Sequence, residues 1–439
     1  MLERPVTKVR LHRTSALDRP AQRHGIWPFS ALLLVWGVTR ALLLLSLHGD
    51  WKFPGTDASP EVWRTYYGWY KVLRSGSFPV NDVTWQYPPM AAAAMLAPAL
   101  LPFFSYARAF YLLACASDFT VLLLLVRAGR AQAGGKGNRL TGAWLWVVGM
   151  AVLGPIVLAR YDVMVTALAV GALLAAARHP RVGGVLTAIG ALLKVWPVLV
   201  LVGVARGRVM RRAWTTAVVV GATICALFLA FTNGAFGFLA EQKNRGIEVE
   251  SVAAMPFHLA RYLGLWHGID QFNYGSFEFL GPYVDSMAKV SIAVTVLAFA
   301  WLVWWRFKAR VFTTAVLYDS AFTAVLIFIT TSRVISPQYM IWLLGLGGLC
   351  LATRSTVQRF PVLLVLIACM FTVLDFPIGF GHVINSDLCG IVLIIARNGL
   401  LVLASFSACR SLWHSTIPTG RSTVAQPVLT REDEPALSG

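Results

Sequence analysis

The sequence predicts an all-α integral membrane protein, a polytopic helical bundle. Hydrophobic residues make up 57% of the 439-residue chain, charged residues make up 13%, and the mean hydropathy is +0.66. A soluble fold of this length does not bury so much apolar surface, so lipid must solvate most of the chain. The formal net charge of +18 is carried in short basic clusters between apolar runs, as in cytoplasmic loops of membrane proteins. This pattern predicts a lipid bilayer, and no nucleic acid, as the partner.

The apolar runs predict roughly 10–12 spans, with re-entrant or broken segments among them. Residues 1–27 form a basic tail that lacks the features of a cleaved signal, and it is expected to be cytoplasmic. Residues 28–408 form the membrane domain, and residues 409–439 are expected to be a disordered cytoplasmic tail. The apolar runs lie near 28–47, 89–104, 107–127, 141–159, 162–178, 183–204, 213–232, 286–305, 312–331, 336–353, 360–377 and 388–408.

At two places the positions of the basic clusters conflict with a chain that crosses the membrane once in each apolar run. Run 183–204 lies between two basic, hence cytoplasmic, clusters, although a single crossing would put its ends on opposite sides. Lys194 and Pro197 inside this run predict a broken or re-entrant segment, which is tolerated where the backbone lines a protein cavity. The linker 128–140 is also basic, so residues 89–127 cannot contain two complete crossings if that linker is cytoplasmic.

Two polar loops, at about 48–88 and 233–285, are predicted on the extracytoplasmic side. The second contains six acidic residues against three basic ones. The first places Asp57 close to several aromatic residues and to the rigid Tyr87-Pro88-Pro89 sequence. A simple connector between helices needs none of these features, whereas an enzyme acting on a sugar beside a lipid would use both a carboxylate and aromatic rings.

Ionisable residues inside or beside the runs are costly there and often functional. Arg160 and Asp162 could form a mutual ion pair, and Lys194 could snorkel or face a polar cavity. Arg333 could be an interfacial anchor or a ligand contact, and Asp118 is typical of a hydrogen-bond partner between helices. Several cations facing the outer leaflet would suit a lipid-linked phosphate, because Arg and Lys make charge-assisted bonds to phosphate oxygens.

The second loop and the end of the chain add weaker candidates. Glu248 and Glu250 could form a charged interfacial segment or the wall of a substrate pocket, and His258 and His382 could donate to a phosphate or a sugar hydroxyl. The six cysteines show no CxxC spacing, which predicts no disulfide framework and no zinc site. No group of histidines and carboxylates has metal-ligand spacing, so no bound metal or other cofactor is expected.

An ordered series of motifs runs along the chain from about residue 28 to residue 408. The motifs are Asp57, Trp63-x-x-Tyr66-Tyr67-x-Trp69, Gly76-x-x-Pro79, Trp85-Gln86-Tyr87-Pro88-Pro89, Arg160-Tyr161-Asp162, Lys194-x-x-Pro197, Arg245-Gly246, Glu250-Ser251 and Ser336-Pro337-Gln338-Tyr339-x-x-Trp342. This series resembles the actinobacterial polyprenyl-phosphate-mannose-dependent mannosyltransferases of the GT-C superfamily, a family that includes the α-1,2-mannosyltransferases of phosphatidylinositol mannosides and lipomannan.

The resemblance implies a multi-pass plasma-membrane enzyme whose active site faces the extracytoplasmic side. It implies a polyprenyl-phosphate sugar as donor, most simply mannose, and a lipid-linked or glycan hydroxyl as acceptor. Asp57 matches the family's catalytic carboxylate and would act as the general base of an inverting transfer, with Asp82 as its rival. The donor phosphate would be bound by Lys194, Arg333 and Arg160. Further substrate contacts are expected from Trp63, Tyr66, Tyr67, Trp69, Asp82, Tyr87, Glu250, His258, Gln338, Tyr339 and His382.

Other interpretations remain open at this point. A transporter or lipid flippase would also use broken helices and charges inside the membrane, although no twofold internal repeat is visible. A non-catalytic scaffold could keep the same fold, and an enzyme could use arabinofuranose or glucose instead of mannose. The aromatic residues of the first loop could stack on sugars or simply form an interfacial belt.

Overall fold

The computed structural model describes residues 26–132, 140–240 and 245–417. In the first half of the chain the polar loop after α1 contains a π-helix at Glu61–Tyr66, and short 3-10 segments follow α3, α5 and α7. The helices are α1 (Ile26–His48), α2 (Tyr67–Leu73), α3 (Ala91–Leu96), α4 (Tyr106–Gln132), α5 (Thr141–Leu153), α6 (Asp162–Ala176), α7 (Pro180–Leu193) and α8 (Arg208–Phe231).

The second half starts with a small three-stranded sheet and continues with long helices. Its helices are α9 (Met255–Tyr262), α10 (Val284–Lys308), α11 (Thr314–Thr331), α12 (Tyr339–Ala352), α13 (Arg359–Val373), α14 (Phe380–Asn385) and α15 (Leu388–Thr416). Its strands are β1 (Ile247–Glu248), β2 (Ile269–Asn273) and β3 (Ser276–Leu280). The last helix continues past the boundary predicted at residue 408, while the predicted tails at 1–25 and 418–439 lie outside the described residues.

The prediction of an all-α polytopic membrane bundle is confirmed. In the described part of the chain, seven helices are long and apolar enough to cross a membrane, and five shorter apolar helices lie between them. Each predicted apolar run therefore coincides with a helix, and the protein is a multi-pass membrane protein.

The polar loop after α1, the start of the loop after α8 and the segment after α13 meet at one end of the bundle, which we call the loop end. The amide of Phe78 in the first loop donates to the carbonyl of Asn233, 3.0 Å away, at the start of the second loop. The amide of Thr56 donates to the carbonyl of Pro377, 2.9 Å away, after α13. At the opposite end, which we call the basic end, lie the side chains of Arg127, Arg130, Arg178, Arg181, Arg206, Arg208, Arg211, Arg212, Arg306, Lys308, Arg310, Arg354, Arg359 and Arg410.

The apolar run at 89–104 does not cross the bundle. The hydroxyl of Tyr106, at the start of α4, donates to the carbonyl of Met95, and its ring lies against Tyr67 of the first loop at a centroid distance of 5.2 Å. At the other end of α4, the guanidinium of Arg130 lies over the ring of Phe29 near the start of α1. Residues 89–132 therefore cross the bundle once. This agrees with a cytoplasmic basic linker at 128–140, which two complete crossings would not allow.

The interrupted run at 183–204 turns back on itself, as predicted. The ring of Pro197 would clash with the carbonyl of residue 193 in a continuous helix, and α7 ends at that residue. Lys194 follows in an extended conformation (φ −157°, ψ 131°), and a 3-10 segment then descends beside α11. Gly203 lies so close to Ser320 that a Cβ there would be 1.9 Å from its hydroxyl oxygen. The chain thus returns to the basic end, and Lys194 is left at the tip of the turn.

The small sheet builds one wall of the loop end. β3 pairs antiparallel with both β1 and β2, and the β2–β3 hairpin turns at Tyr274 and Gly275, which both have positive φ as a tight hairpin turn requires. A separate apolar cluster beneath it includes Ile247, Phe257 and Phe279. This cluster fixes residues 247–284 of the second loop over the helices.

Candidate active site

A cavity of about 400 Å³ opens at the loop end between the two loops, beside the tip of the α7 turn. We call it the cation cavity, because four basic side chains line it from four separate segments. Its charged and amide-bearing lining residues are Glu61, Gln86, Arg160, Lys194, Arg245, Arg333 and Gln338. Its aromatic and apolar lining residues include Tyr87, Val195, Trp196, Phe238, Leu239, Tyr274, Phe328, Val334, Tyr339 and Trp342.

Lys194 is held at the base of this cavity by Asp162. The ammonium nitrogen lies 2.7 Å from the Oδ1 atom of Asp162, and the indole nitrogen of Trp342 donates to the same oxygen, also at 2.7 Å. The Asp162 side chain is 1% exposed and its Oδ2 atom makes no hydrogen bond, so Lys194 is its principal charge partner. Removing that partner would leave a buried carboxylate without compensation.

Four aromatic rings surround the Lys194 ammonium. Its nitrogen lies 5.0 Å from the centroid of Trp342, 5.2 Å from Tyr161, 5.3 Å from Tyr339 and 5.6 Å from Tyr87. Ring faces at such distances attract a cation and exclude water without competing for its hydrogen bonds. The ammonium therefore remains able to donate to an anion that enters the cavity.

Arg160 lies next to Glu61 in the lining of the cavity. Its Nη1 atom lies 3.2 Å from the Oε2 atom of Glu61, but this nitrogen is buried and makes no hydrogen bond of acceptable geometry. Glu61 is the first residue of the π-helix in the first loop, and Arg160 precedes α6. π-Helical turns are rare and frequently occur at functional sites.

Arg245 and Arg333 form the side of the cavity next to the sheet. Arg245 donates from Nε to Glu278 at 3.0 Å and from Nη2 to the hydroxyl of Ser276 at 2.8 Å. Arg333 donates from Nη1 to the backbone carbonyl of Arg245 at 2.6 Å. Burial lowers the pKa of Arg333, and the neighbouring Arg245 charge lowers it further. Burial would also lower the pKa of Arg245, but the carboxylates of Glu248 and Glu278 outweigh it and raise the pKa above its usual value.

The carboxylates behind this wall are shielded from water. Burial raises the pKa of Glu278, although its bonds from Arg245 and from the amide of Gly246 oppose the shift. Burial likewise raises the pKa of Glu248, which accepts a hydrogen bond from the hydroxyl of Ser336 at 3.1 Å. Neither of these two carboxylates lines the cavity itself, so the surface seen by a ligand is predominantly cationic.

Asp57 lies in a second cavity, of about 480 Å³, which we call the Asp57 cavity. His48, Lys52 and Trp63 contribute to its lining, and the exposed Asp57 carboxylate accepts from the amide and the hydroxyl of Ser59 at 2.8 and 2.9 Å. These two bonds fix its orientation just before the π-helix. The described linings of the two cavities have no residue in common.

Comparison with known proteins identifies the family. The model of glycosyltransferase family 87 matches residues 85–337, more than half of the chain. The chain belongs to glycosyltransferase family 87. This protein is therefore a membrane glycosyltransferase, and the matched region contains Arg160, Lys194, Arg245 and Arg333, whereas Asp57 and Glu61 precede it.

Among solved structures, this family 87 chain is similar to the crystal structure of ArnT from Cupriavidus metallidurans bound to undecaprenyl phosphate, with 13% sequence identity and a TM-score of 0.42. The similarity covers 88% of this chain and 76% of ArnT. Among curated proteins, no sequence matches this chain.

Of the donor-binding candidates, Lys194, Arg333 and Arg160 all lie in the cation cavity of the family 87 chain. So do Tyr87, Gln338 and Tyr339, which were expected to contact substrate. The mutual ion pair considered for Arg160 and Asp162 is not formed, because Asp162 lies at the start of α6 and points to Lys194.

The aromatic residues of the first loop separate into a buried and an exposed set. Tyr66 is 0% and Trp69 is 3% exposed, and their rings stack at a centroid distance of 5.5 Å. They belong to the main buried core, in which Tyr66 also lies against Phe110 of α4. Tyr67 is exposed but stacks on Tyr70, away from both cavities. Of the four predicted aromatics, Trp63 is the one that lines either cavity, next to Asp57.

Four other predicted substrate contacts lie outside both cavities. Asp82 accepts from the indole of Trp69 at 2.8 Å and from Thr84, and it faces a shallow outer groove. His382 is exposed and pairs with Asp387. These two side chains hold the loops in place in this structure.

The other two, Glu250 and His258, are buried beneath the second loop. The ring nitrogens of His258 contact the carbonyl of Val249 at 2.7 Å and the hydroxyl of Ser386 at 2.9 Å, and burial lowers its pKa to about 4. Glu250 pairs with Arg397 of α15 at 2.9 Å, and burial raises its pKa well above the usual range. Both anchor the second loop to the helices.

Asp118 forms a helix-to-helix contact, as its position suggested. The Nε and Nη2 atoms of Arg40 in α1 each donate to it at 3.0 Å, and both side chains are almost fully buried. Glu61, which lines the cation cavity, was not among the functional candidates of the sequence. Gln86 and Arg245 stood only inside motifs of the resemblance and were given no role of their own.

Proposed function

We propose that this family 87 protein is an inverting glycosyltransferase that moves mannose from a polyprenyl-phosphate donor to a hydroxyl of a lipid-linked or glycan acceptor. The observation that carries the proposal is the convergence of Arg160, Lys194, Arg245 and Arg333 on one cavity with an apolar side. A polyprenyl phosphate has the same two parts, an anionic head and a long apolar tail.

The head of the donor would lie against the four cations. Lys194 and Arg160 would donate to the phosphate oxygens through charge-assisted bonds, and Arg333 would add a further donor. The tail would leave past Val195, Phe328 and neighbouring apolar residues toward the bilayer. The cations would be more effective when the bond to the sugar breaks, because negative charge then accumulates on the phosphate.

The cation cavity would face the extracytoplasmic side of the plasma membrane. Basic residues concentrate at the opposite end of the bundle, where α1 starts and α15 finishes. By the positive-inside rule that end, and with it both termini, would be cytoplasmic. A donor anchored in the membrane by its own lipid would reach a cavity on the outer face without a soluble carrier.

Asp57 would act as the general base. It would remove the proton from the acceptor hydroxyl while that oxygen forms a bond to the anomeric carbon of the sugar. The bond between the anomeric carbon and the phosphate oxygen breaks at the same time, and polyprenyl phosphate leaves with the electron pair. A single displacement inverts the anomeric centre, so a β-linked donor would give an α-linked product.

The two cavities suggest how the substrates would be arranged. The acceptor would occupy the Asp57 cavity, where Trp63 offers an exposed ring face, and the donor phosphate would occupy the cation cavity. The sugar would lie between them, and the acceptor oxygen would attack from the side opposite the phosphate. Mannose as the transferred sugar follows from the resemblance of the motifs, and arabinofuranose is the alternative.

Transfer by the purified protein tests the proposal. The protein in liposomes, with radiolabelled polyprenyl-phosphate mannose and membrane glycolipids, should move label into a new glycolipid. Asp57→Asn should bind donor but lose transfer, while Asp285→Asn, a change at an exposed carboxylate of α10, should behave as wild type. Movement of label across the bilayer without a new product would identify a transporter, and full transfer by Asp57→Asn would remove Asp57 from the mechanism.

A further inference from the structure

We infer that Glu61 is an exchangeable counter-ion of Arg160, which yields to the donor phosphate and then competes with the product phosphate to speed its release. This inference rests on the proposed function and deepens it, because it assigns a positioning and release role to a residue so far without one. The carboxylates around the cation cavity differ in how firmly they are held.

Two of these carboxylates are fixed by strong contacts, and a third, Glu248, is buried behind the cavity wall. Asp162 accepts from Lys194 and Trp342, and Glu278 accepts from Arg245 and from a backbone amide. The side chains of Asp162 and Glu278 are each 1% exposed. An incoming anion cannot displace such groups without leaving them buried and unpaired, which is costly.

Glu61 is held far less firmly. Among the described residues its ion-pair contact is the 3.2 Å approach to Arg160, and the Arg160 nitrogen involved makes no hydrogen bond of acceptable geometry. The side chain is 24% exposed, and it is the one carboxylate of the described chain that lines the cation cavity. Glu61 can therefore turn into water when an anion takes its place beside Arg160.

The charges of the ligands explain why such a competitor would be useful. The donor is a phosphodiester with one negative charge, whereas the product is a phosphate monoester that carries up to two at neutral pH. The four cations would therefore bind the product more strongly than the donor, and slow release would limit turnover. A carboxylate that returns to Arg160 removes one cation from the product and opposes this tight binding.

The experiment measures product binding directly in the full-length protein. Wild type, Glu61→Gln and a matched control, Asp270→Asn, are placed in nanodiscs and titrated with polyprenyl monophosphate. The control removes the carboxylate of another loop-end ion pair, in which Arg261 lies 2.7 Å from Asp270, outside both cavities. Glu61→Gln should bind product roughly fivefold more tightly, because it loses the competitor, and the control should bind as wild type.

Kinetics supply the second readout. Glu61→Gln should show a lower KM for the donor and a lower kcat, with a burst of first turnover before slow release. Glu61→Asp keeps the charge on a shorter side chain, so its product affinity should fall between those of wild type and Glu61→Gln. If Glu61 only supported the fold, both variants would lose affinity together with thermal stability, and that result overturns the inference.

The remaining outcomes separate this inference from the proposed function. Unchanged or weaker product binding by Glu61→Gln, in a protein whose wild type transfers sugar, would overturn the role of Glu61 alone. A wild type that neither binds polyprenyl monophosphate nor transfers sugar would overturn the proposed function, and the inference with it.

Discussion

Replacement of Lys194 by Met should separate the fold from the function at the centre of the cavity. The substitution keeps an unbranched side chain among the four aromatic rings but removes the ammonium. The loss leaves Asp162, which is 1% exposed, with the indole of Trp342 as its remaining hydrogen-bond donor. A buried carboxylate that loses its partner costs about 3–5 kcal/mol of folding free energy.

The double variant Lys194→Met/Asp162→Asn removes both charges and should recover most of that stability. The amide oxygen of an asparagine can still accept from Trp342, so no buried charge remains. Binding of the donor should not recover, since the phosphate loses one charge-assisted bond in both variants. Such a bond is worth about 1.5–3 kcal/mol, or roughly a 10- to 150-fold change in Kd.

Thermal unfolding in nanodiscs, followed by tryptophan fluorescence, gives the stability of each variant, and titration with polyprenyl monophosphate gives the affinity. The prediction is a melting temperature that falls in Lys194→Met and returns in the double variant, with weak binding in both. Normal product binding by the double variant would show that the Lys194 charge does not hold phosphate. If Lys194→Met were as stable as wild type, the ion pair between Lys194 and Asp162 would not stabilise the fold.

Two further predictions concern the buried contacts of the second loop. Burial lowers the pKa of His258 to about 4 from about 6.5, so the stability that its neutral form contributes is complete above pH 6.5 and is lost as the pH falls toward 4, at a cost of up to about 3 kcal/mol. Between pH 7.5 and pH 5, the melting temperature of wild type should therefore fall more than that of His258→Gln. Equal falls in the two proteins would contradict this assignment. Arg397→Met should destabilise the protein by more than about 3–5 kcal/mol, because the carboxylates of Glu250 and Asp375 both lose their buried partner. The same unfolding assay checks this, and an unchanged melting temperature would contradict the buried network.

The sequence predicts the helices of this protein well because hydropathy is a local property. The turn at Lys194 is also predictable, since Pro197 breaks the helix and the flanking basic clusters demand that the chain return to its starting side. The structure of the segment at 89–104 is harder to predict, because apolar composition alone does not distinguish a helix that crosses the membrane from a short helix that does not. Its failure to cross follows only from the charge of the linker behind it.

The candidate site is predictable where charge is costly. Lys194 and Arg160 attract notice because they adjoin apolar runs, and the structure places both in the cation cavity. Glu61 and Arg245 lie in polar loops, where a charge carries no energetic cost, so that only the folded chain shows that both line the cation cavity. Ion-pair partners are equally hidden, since they depend on which helices are neighbours in space.

The aromatic residues of the first loop show a further limit of sequence reasoning. Tyr66 and Trp69 are buried and stack on each other, whereas Trp63 remains exposed beside Asp57. A run of aromatics in a polar loop has the same composition whether it forms a small core or a platform for sugars. The direction of each side chain decides between the two, and that direction depends on how the π-helix and α2 are placed against the bundle.

A cryo-EM map of the wild-type protein with polyprenyl monophosphate would test the central claim most directly. The account predicts density for the phosphate within about 3 Å of the Lys194 ammonium and the Arg160 guanidinium, at the distance of a charge-assisted bond, with the lipid leaving past Phe328. Phosphate density in the Asp57 cavity, or at the basic end of the bundle, would contradict it.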